Sequence, residues 1–407
     1  MWPRHLPLAA AAKSGAAHRG RSPGLPEPRG RESAPVTQPI SQEAFPTAGT
    51  APNDTVTFIP RGPAAPVPPN RPCTIGMVGC IESGTLEPQT IRAIESLRLF
   101  GGRFSRCDVV LVQPRPGAPL MDSTRARLRE LGAVILDVPY LRHYRWQHFM
   151  NKLHAMLWAE RTLTTDVVAW IDGDLIFLDE PVELELTSDE DVVGQPEMGI
   201  VGTTGPEDEH EAYWARTANL FGLRVEELPW VRAVGGERIR LYLNAGHFAF
   251  RRTCRFAEDY YADCDKFLRS GVAKHHTEVH FMDQVVLSMT IMRRQLAWRA
   301  MTLAGNYHTT LVEFSRFVDP ERLRGATVLH YHDTMYPETW DEMLQCLEQT
   351  HPRIADWLRP QGPIVAPGGF GRHAVREAYR IARGVHRRVF YRIHGIYKPP
   401  KRPNLKA

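Results

Sequence analysis

The stretch 166-DVVAWIDGDLIFLDEP-181 carries the reading of the fold. Val167, Val168, Ala169, Trp170 and Ile171 form a continuous apolar run of strand length, the pattern of an interior strand in a mostly parallel sheet covered on both faces. Asp172 and Asp174 follow at once, at the carboxyl end where open α/β sheets bind ligands. Two crowded carboxylates repel one another unless a cation or proton neutralises them, so the pattern points to a divalent metal, with a solvated acidic turn as the plainer alternative. Spacing alone does not decide the matter. The same D-x-D spacing recurs at Asp189/Asp191 and Asp263/Asp265, neither of which follows an apolar run of this kind.

Outward from this strand, short apolar runs alternate with longer helical stretches from residue 72 onward, the signature of an α/β fold. Strands are expected at Cys73 to Val78, Asp108 to Val112, Ala133 to Val138, Val167 to Ile171, Asp191 to Gln195 and Leu241 to Phe250. Helices are expected at Pro88 to Phe100, Asp122 to Leu131, Trp146 to Leu163, Glu207 to Phe221 and Arg252 to Leu268, and over "HFMDQVVLSMTIMRR". No internal repeat is visible. The expected organisation is a Pro/Ala/Arg-rich disordered tail over 1–70, one sheet-centred domain over 71–360, and a linker with a basic amphipathic helix over 361–407.

Composition supports this division. The first 70 residues hold 14 of the 33 prolines, and their opening "MWPRHLPLAAAAKSG" is broken by Pro7 before an apolar segment of secretory length can form. No run of about 18 apolar residues occurs, so no spanning helix is expected. Six cysteines show no C-x-x-C pair or zinc spacing, and a chain of this size needs no disulfides, which makes a reducing cytoplasm the default. The net charge of +4 is unevenly placed, since residues from 370 onward hold eleven Lys/Arg against one Glu, leaving the central body acidic. An acidic body argues against nucleic acid as its partner, while the basic tail calls for something anionic.

Phosphate-binding glycine loops are missing, so a nucleotide here would be held by a metal and a few basic side chains. Lys152, on the helix before the acidic strand, is one such side chain, the alternative being an ordinary solvated lysine. Asn244 and Gly246 interrupt an apolar strand in "LNAGHF", where a glycine often marks close approach of a ligand or another backbone. Asp283 and Gln284 open the helix "MDQVVLS", where capping is the plain role. His330 and His332 end a strand in "TVLHYHDTMYP" and offer imidazoles, which suit Mn²⁺ better than Mg²⁺.

Together these motifs resemble the glycogenin-like family 8 glycosyltransferases of GT-A fold. "NKLHAMLWAERTLTTDVVAWIDGDLIFLDEP" is similar to that family's Lys-Leu helix, apolar strand and D-x-D, "LNAGHFAF" to its Asn-(Ser/Ala)-Gly strand, "MDQVVLS" to its Asp-Gln helix, and "VLHYHDTMYP" to its terminal His motif, over roughly residues 73 to 345. The resemblance implies transfer of a sugar from a nucleotide-sugar donor, usually UDP-linked, with retention of anomeric configuration and a Mn²⁺ cofactor, Mg²⁺ being the alternative ion. Asp172, Asp174 and His330 would hold the metal, with Asp172 also near the donor ribose. Lys152 would steady the departing phosphate, while Asn244, Gly246, Asp283 and Gln284 would line the sugar pocket. The late motif lacks the family's lysine, a place His332 would take, and Glu82 is the one acidic candidate for the donor's base at the first strand.

Two rival readings compete with this one. Aspartyl phosphatases also place D-x-D after an apolar strand, but near the start of the domain, whereas three strands precede it here. The second is a degenerate transferase scaffold that binds sugar nucleotide without turnover. In the tail, Val375, Ala378, Tyr379, Ala382, Val385, Val389 and Ile393 fall on one helical side, and Arg372, Arg376, Arg380, Arg383 and Arg387 on another. Such a helix, over 372–395, either lies on an anionic membrane at its inner face or packs its apolar stripe on the acidic body. Membrane attachment would suit a lipid-linked acceptor; glycan and protein acceptors are the other classes.

Overall fold

A computed structural model describes residues 74–197, 199–309 and 318–398; the N-terminal tail expected over 1–70 lies outside them, as does Cys73. In chain order the strands and helices begin with β1 (Ile75–Cys80), α1 (Leu86–Phe100), β2 (Asp108–Val112), α2 (Asp122–Glu130), β3 (Ala133–Leu136), α3 (Met150–Thr162), β4 (Val167–Ile171) and β5 (Leu175–Phe177). They continue with β6 (Val192–Pro196), α4 (Glu211–Leu220), β7 (Trp230–Arg232), β8 (Arg238–Arg240), β9 (Leu243–Arg251), α5 (Phe256–Ser270), α6 (His276–His280) and α7 (Met282–Arg293). The last are β10 (Trp298–Ala300), β11 (Tyr307–His308), α8 (Pro320–Leu323), β12 (Val328–His330), α9 (Trp340–Thr350), α10 (Pro352–Leu358) and α11 (Phe370–Ile393).

Seven strands make the central sheet in the order β10-β6-β9-β4-β1-β2-β3. All neighbours are parallel except β9, which runs antiparallel to both β4 and β6. This mostly parallel sheet with flanking helices is the α/β class expected of a GT-A type transferase. The pleat sends successive residues of β4 to opposite faces. Val168 and Trp170 join a core with Met150, Leu153 and Met156 of α3 and with α5 and α7, while Val167, Ala169 and Ile171 join another with Ile94 and Leu97 of α1 and Leu128 of α2. Because both faces of β4 are covered, its run needs no polar alternation.

Two departures from the expected elements shape the site. The helix expected from Trp146 begins only at Met150, because Tyr144 adopts φ 55° and the Trp146 indole packs against Phe390 and Tyr391 of α11 instead. A small second sheet, β11-β12-β5, was not expected: β5 and β12 pair antiparallel with Leu175 opposite His330, which carries the histidine of the late motif to the D-x-D loop.

In α11 the apolar stripe faces away from the body: Val385, Val389 and Ile393 are 43%, 51% and 73% exposed. Packing of that stripe onto the acidic body is therefore not what the chain does. Phe390 and Tyr391 anchor the helix on Trp146, and Tyr397 beyond it exchanges backbone hydrogen bonds with Lys274 and His276. No described helix is long and apolar enough to cross a membrane.

Candidate active site

The carboxyl end of β4, the amino end of β9, the first turn of α7 and the end of β12 converge. Since β9 is antiparallel to β4, its early residues lie beside the late ones of β4, and the Asp172 amide donates to the Gly246 carbonyl at 2.9 Å. The Trp170 indole N–H, two residues back, donates to Asp172 Oδ1 at 2.8 Å and fixes that carboxylate. His330 Nε2 lies 3.3 Å from Asp174 Oδ1. Ligand-type atoms of Asp172, Asp174 and His330 all fall within 4.8 Å of one another, and those of His308, His330 and His332 form a second such group. Gly246 is the floor. A Cβ there would overlap His330 Cε1 and stand 2.8 Å from Asp172 Oδ2, so only glycine leaves room for both side chains.

Lys152 is buried, which removes the reading of a solvated surface lysine. Its Nζ lies 3.2 Å from Asp283 Oδ2 and 3.6 Å from Asp172 Oδ2, and donates to the Ala245 carbonyl at 2.9 Å. Burial works against the ammonium, yet Asp172 and Asp283 outweigh it and hold the lysine above its ordinary pKa. Asp283 does not cap α7: its side chain is fully buried against Lys152, and burial raises its pKa. Gln284 beside it has a buried side-chain oxygen with no hydrogen-bond partner among the described residues.

The two carboxylates of the D-x-D differ. Burial raises Asp172, with Lys152 opposing, whereas burial at Asp174 is outweighed by His330 and His332, which bring it down to about 2. Burial disfavours the charge on His330, but Asp174 and Asp172 overcome it and raise that histidine. His332, which takes φ 47°, stacks on His330 with ring centroids 4.0 Å apart, and burial with the neighbouring His330 lowers it to about 3. A left-handed φ in a non-glycine costs roughly 1–2 kcal/mol, so the surrounding contacts hold it in place.

Behind these groups runs a relay that motif reading missed. Asn244 Nδ2 donates to Glu197 Oε2 at 2.5 Å, and Asn244 Oδ1 accepts from the Gly246 amide at 2.8 Å and from Asn306 Nδ2 at 3.3 Å. Asn306 Nδ2 also lies 2.8 Å from His308 Nε2, and His308 Nδ1 lies 3.1 Å from His332 Nε2. Asn244 is fixed in orientation, its oxygen on an amide donor and its nitrogen on a carboxylate. Asn306 must then present N–H, His308 must accept at Nε2 and donate at Nδ1, and His332 must accept at Nε2. His332 is left with its proton on Nδ1, 3.8 Å from Asp174 Oδ2, whereas His330 Nδ1 is buried and without a hydrogen bond among the described residues. Glu197, Asn306 and His308 carry no motif of their own; only the polar "GNYH" in a stretch of core hints at the last two.

The remaining candidates lie elsewhere. Glu82, just past the end of β1, pairs with Arg115 at 2.7 Å and accepts from Asn151 Nδ2 at 3.0 Å. The other D-x-D pairs are structural: Asp191 accepts from Cys254 Sγ and the Ala297 amide, and Asp263 accepts from Thr290 and Arg293.

The chain is similar to several solved glycosyltransferases at low identity. With the apo structure of the bifunctional WbbM it shares 13% identity over 72% of this chain and 53% of that one, with a TM-score of 0.42, so it spans about half of that protein. For GlyE of Streptococcus pneumoniae TIGR4 the figures are 16%, 73%, 66% and 0.40, and for an active-site mutant of LgtC 14%, 63%, 86% and 0.39. No functionally curated protein matches it. Residues 77–295, more than half of the chain and nearly the whole stretch from β1 through α7, match the family described as the Rhodobacterales glycosyltransferase domain; the chain belongs to that family and is a glycosyltransferase.

Proposed function

We propose that this transferase, family 8-like in mechanism, takes a sugar from a UDP-linked donor with retention and depends on a divalent ion, Mn²⁺ before Mg²⁺. The observation that carries the reading is the convergence of Asp172, Asp174 and His330 within 4.8 Å, above a buried lysine. The donor set fits the ion: two carboxylates and one imidazole leave open positions for phosphate oxygens, and the imidazole favours Mn²⁺. The buried, unpartnered Nδ1 of His330 leaves its Nε2 free to turn to a cation in place of Asp174. When bound, such an ion neutralises charge on the leaving diphosphate.

The chain's own residues do the rest. Transfer breaks the bond from the anomeric carbon to the β-phosphate oxygen and forms one to an acceptor hydroxyl oxygen, whose proton passes to the departing phosphate oxygen. Lys152 keeps a positive charge beneath the carboxylates and acts on the departing diphosphate electrostatically, an effect that grows as negative charge develops. Asn244, Gly246, Asp283 and Gln284 form the wall where the sugar sits. The exposed apolar face of α11 and its arginines support attachment to an anionic membrane surface and a lipid-linked acceptor there.

The test is release of UDP from a panel of UDP-sugars with Mn²⁺ and with EDTA, alongside Mn²⁺ binding by electron paramagnetic resonance. Asp174→Asn is expected to lose both metal binding and turnover while keeping the fold. Full turnover in EDTA overturns the reading.

A further inference from the structure

Three arginines gather where α11 crosses the carboxyl ends of β1 and β2. The pocket there is lined by Glu82, Ser83, Arg115, Arg376, Tyr379 and Arg383 among others. Glu82 is the only acidic side chain in that lining, and it is already matched by Arg115. Arg115 is fixed from its other side by the Arg145 carbonyl at 2.7 Å. Arg376 reaches the Pro367 carbonyl at 2.9 Å and lies along the β1–α1 turn, its Cδ 3.5 Å from where a Cβ on Gly84 would be. Arg383 is half-buried and makes no hydrogen bond or ion pair among the described residues; burial and the facing Arg115 both depress its pKa. The Ser83 hydroxyl is buried and has no partner among them either.

A desolvated guanidinium facing another one is costly unless an anion joins them. The unpartnered Ser83 hydroxyl adds a neutral donor. The uncapped amino end of the fifteen-residue α1, three residues further on, adds positive potential. We propose that Arg376 and Arg383 of α11, with Arg115 and Ser83, form a phosphate-binding site at the carboxyl ends of β1 and β2. This site and the candidate active site are linked through α3: Asn151, which donates to Glu82, immediately precedes Lys152 in that helix. The ligand is an anionic phosphoryl group, for which forked guanidinium donors are suited. Two sources share that chemistry, the diphosphate of a nucleotide in the cleft and the headgroup phosphate of a lipid against which α11 lies. The existence of the site does not depend on the donor reading; its use by a nucleotide rests on that reading.

The experiment uses the full chain without metal. Inorganic pyrophosphate is titrated calorimetrically into wild type, Arg383→Gln and Arg376→Gln, with melting curves confirming that each variant is folded, and the same proteins are sedimented with phosphatidylglycerol and with phosphatidylcholine vesicles. Arg383→Gln is expected to weaken pyrophosphate binding about tenfold or more. Loss of pyrophosphate affinity with vesicle binding retained supports the nucleotide source. Loss of phosphatidylglycerol binding with pyrophosphate affinity retained supports the headgroup, and loss of both supports a site serving either. Wild-type behaviour of both variants in both arms overturns the proposal. Mn²⁺ affinity unchanged by Asp174→Asn would overturn the donor reading alone and leave the arginine result standing.

Discussion

Adding one methyl at Gly246 tests the site geometry most directly. The Cβ of Gly246→Ala would overlap His330 Cε1, stand 2.8 Å from Asp172 Oδ2 and lie 3.1 Å from Asn244 Oδ1. Carbon contacts settle at about 3.5–4.0 Å, so the His330 ring must retreat by roughly 1 Å or β9 must shift by as much. β9 is hydrogen-bonded on both edges and every residue in it is buried, so the imidazole gives way. Overpacking of this kind costs about 1–3 kcal/mol, which lowers the melting temperature by a few degrees in a domain of this size. Misplacement by about 1 Å in a reacting constellation costs about 10²-fold in rate. We therefore expect sugar transfer to fall about a hundredfold with a melting point lowered only modestly, while Gly325→Ala, where nothing lies within 4 Å of the new methyl, keeps wild-type values of both. Transfer by Gly246→Ala within about twofold of wild type would show that His330 and Asp172 do not act as a unit at this position.

Lys152→Ala should lower kcat by more than it raises KM, and should also destabilise the fold by about 3–5 kcal/mol at pH 7, because Asp172 and Asp283 lose their buried counter-ion. Burial already raises the Asp283 pKa and loss of Lys152 raises it further, so the folded variant takes up a proton as pH falls; the stability gap to wild type should narrow toward acid pH in urea titrations, and a constant gap would remove Asp283 from the explanation. Asp191→Ala should lower stability through the lost Cys254 and Ala297 contacts yet leave KM for the donor unchanged, which steady-state kinetics on the folded fraction will show. Burial lowers His280 to about 4, so the neutral ring is favoured in the fold; its contribution is complete above the unfolded pKa near 6.5 and is lost as pH falls from there toward 4, at about 3 kcal/mol. His280→Gln should flatten that part of the stability profile, and an unchanged profile would clear His280 of the role.

Much of the frame was legible because it rests on local pattern. β2 and β4 fall where their apolar runs end, and the helices α1, α2 and α5 are displaced by only a few residues. The groups that meet in the site were legible as motifs, but their contacts were not. Pairing of β5 with β12 joins residues about 150 positions apart through strands of three residues each, too short for periodicity to register. Asn306 and His308 escaped notice for the same reason: they matter only through partners far along the chain. Lys152 was legible as a candidate for the phosphate, but its burial against two distant carboxylates was not. For α11 the pattern showed an amphipathic helix but not which side would turn inward, since that depends on a pocket assembled from β1 and β2.

The reversed direction of β9 also sets an order of assembly. Strands β3, β2, β1 and β4 form a contiguous parallel unit that is complete once residue 171 has been made, but the free edge of β4 waits for a partner that begins at residue 243. Until then the Val167–Ile171 edge presents unpaired backbone on an apolar ribbon, the kind of surface that recruits other strands. A chain stopped anywhere between these points should aggregate rather than fold, and restoring 243–251 in trans as a separate peptide should rescue it by occupying that edge.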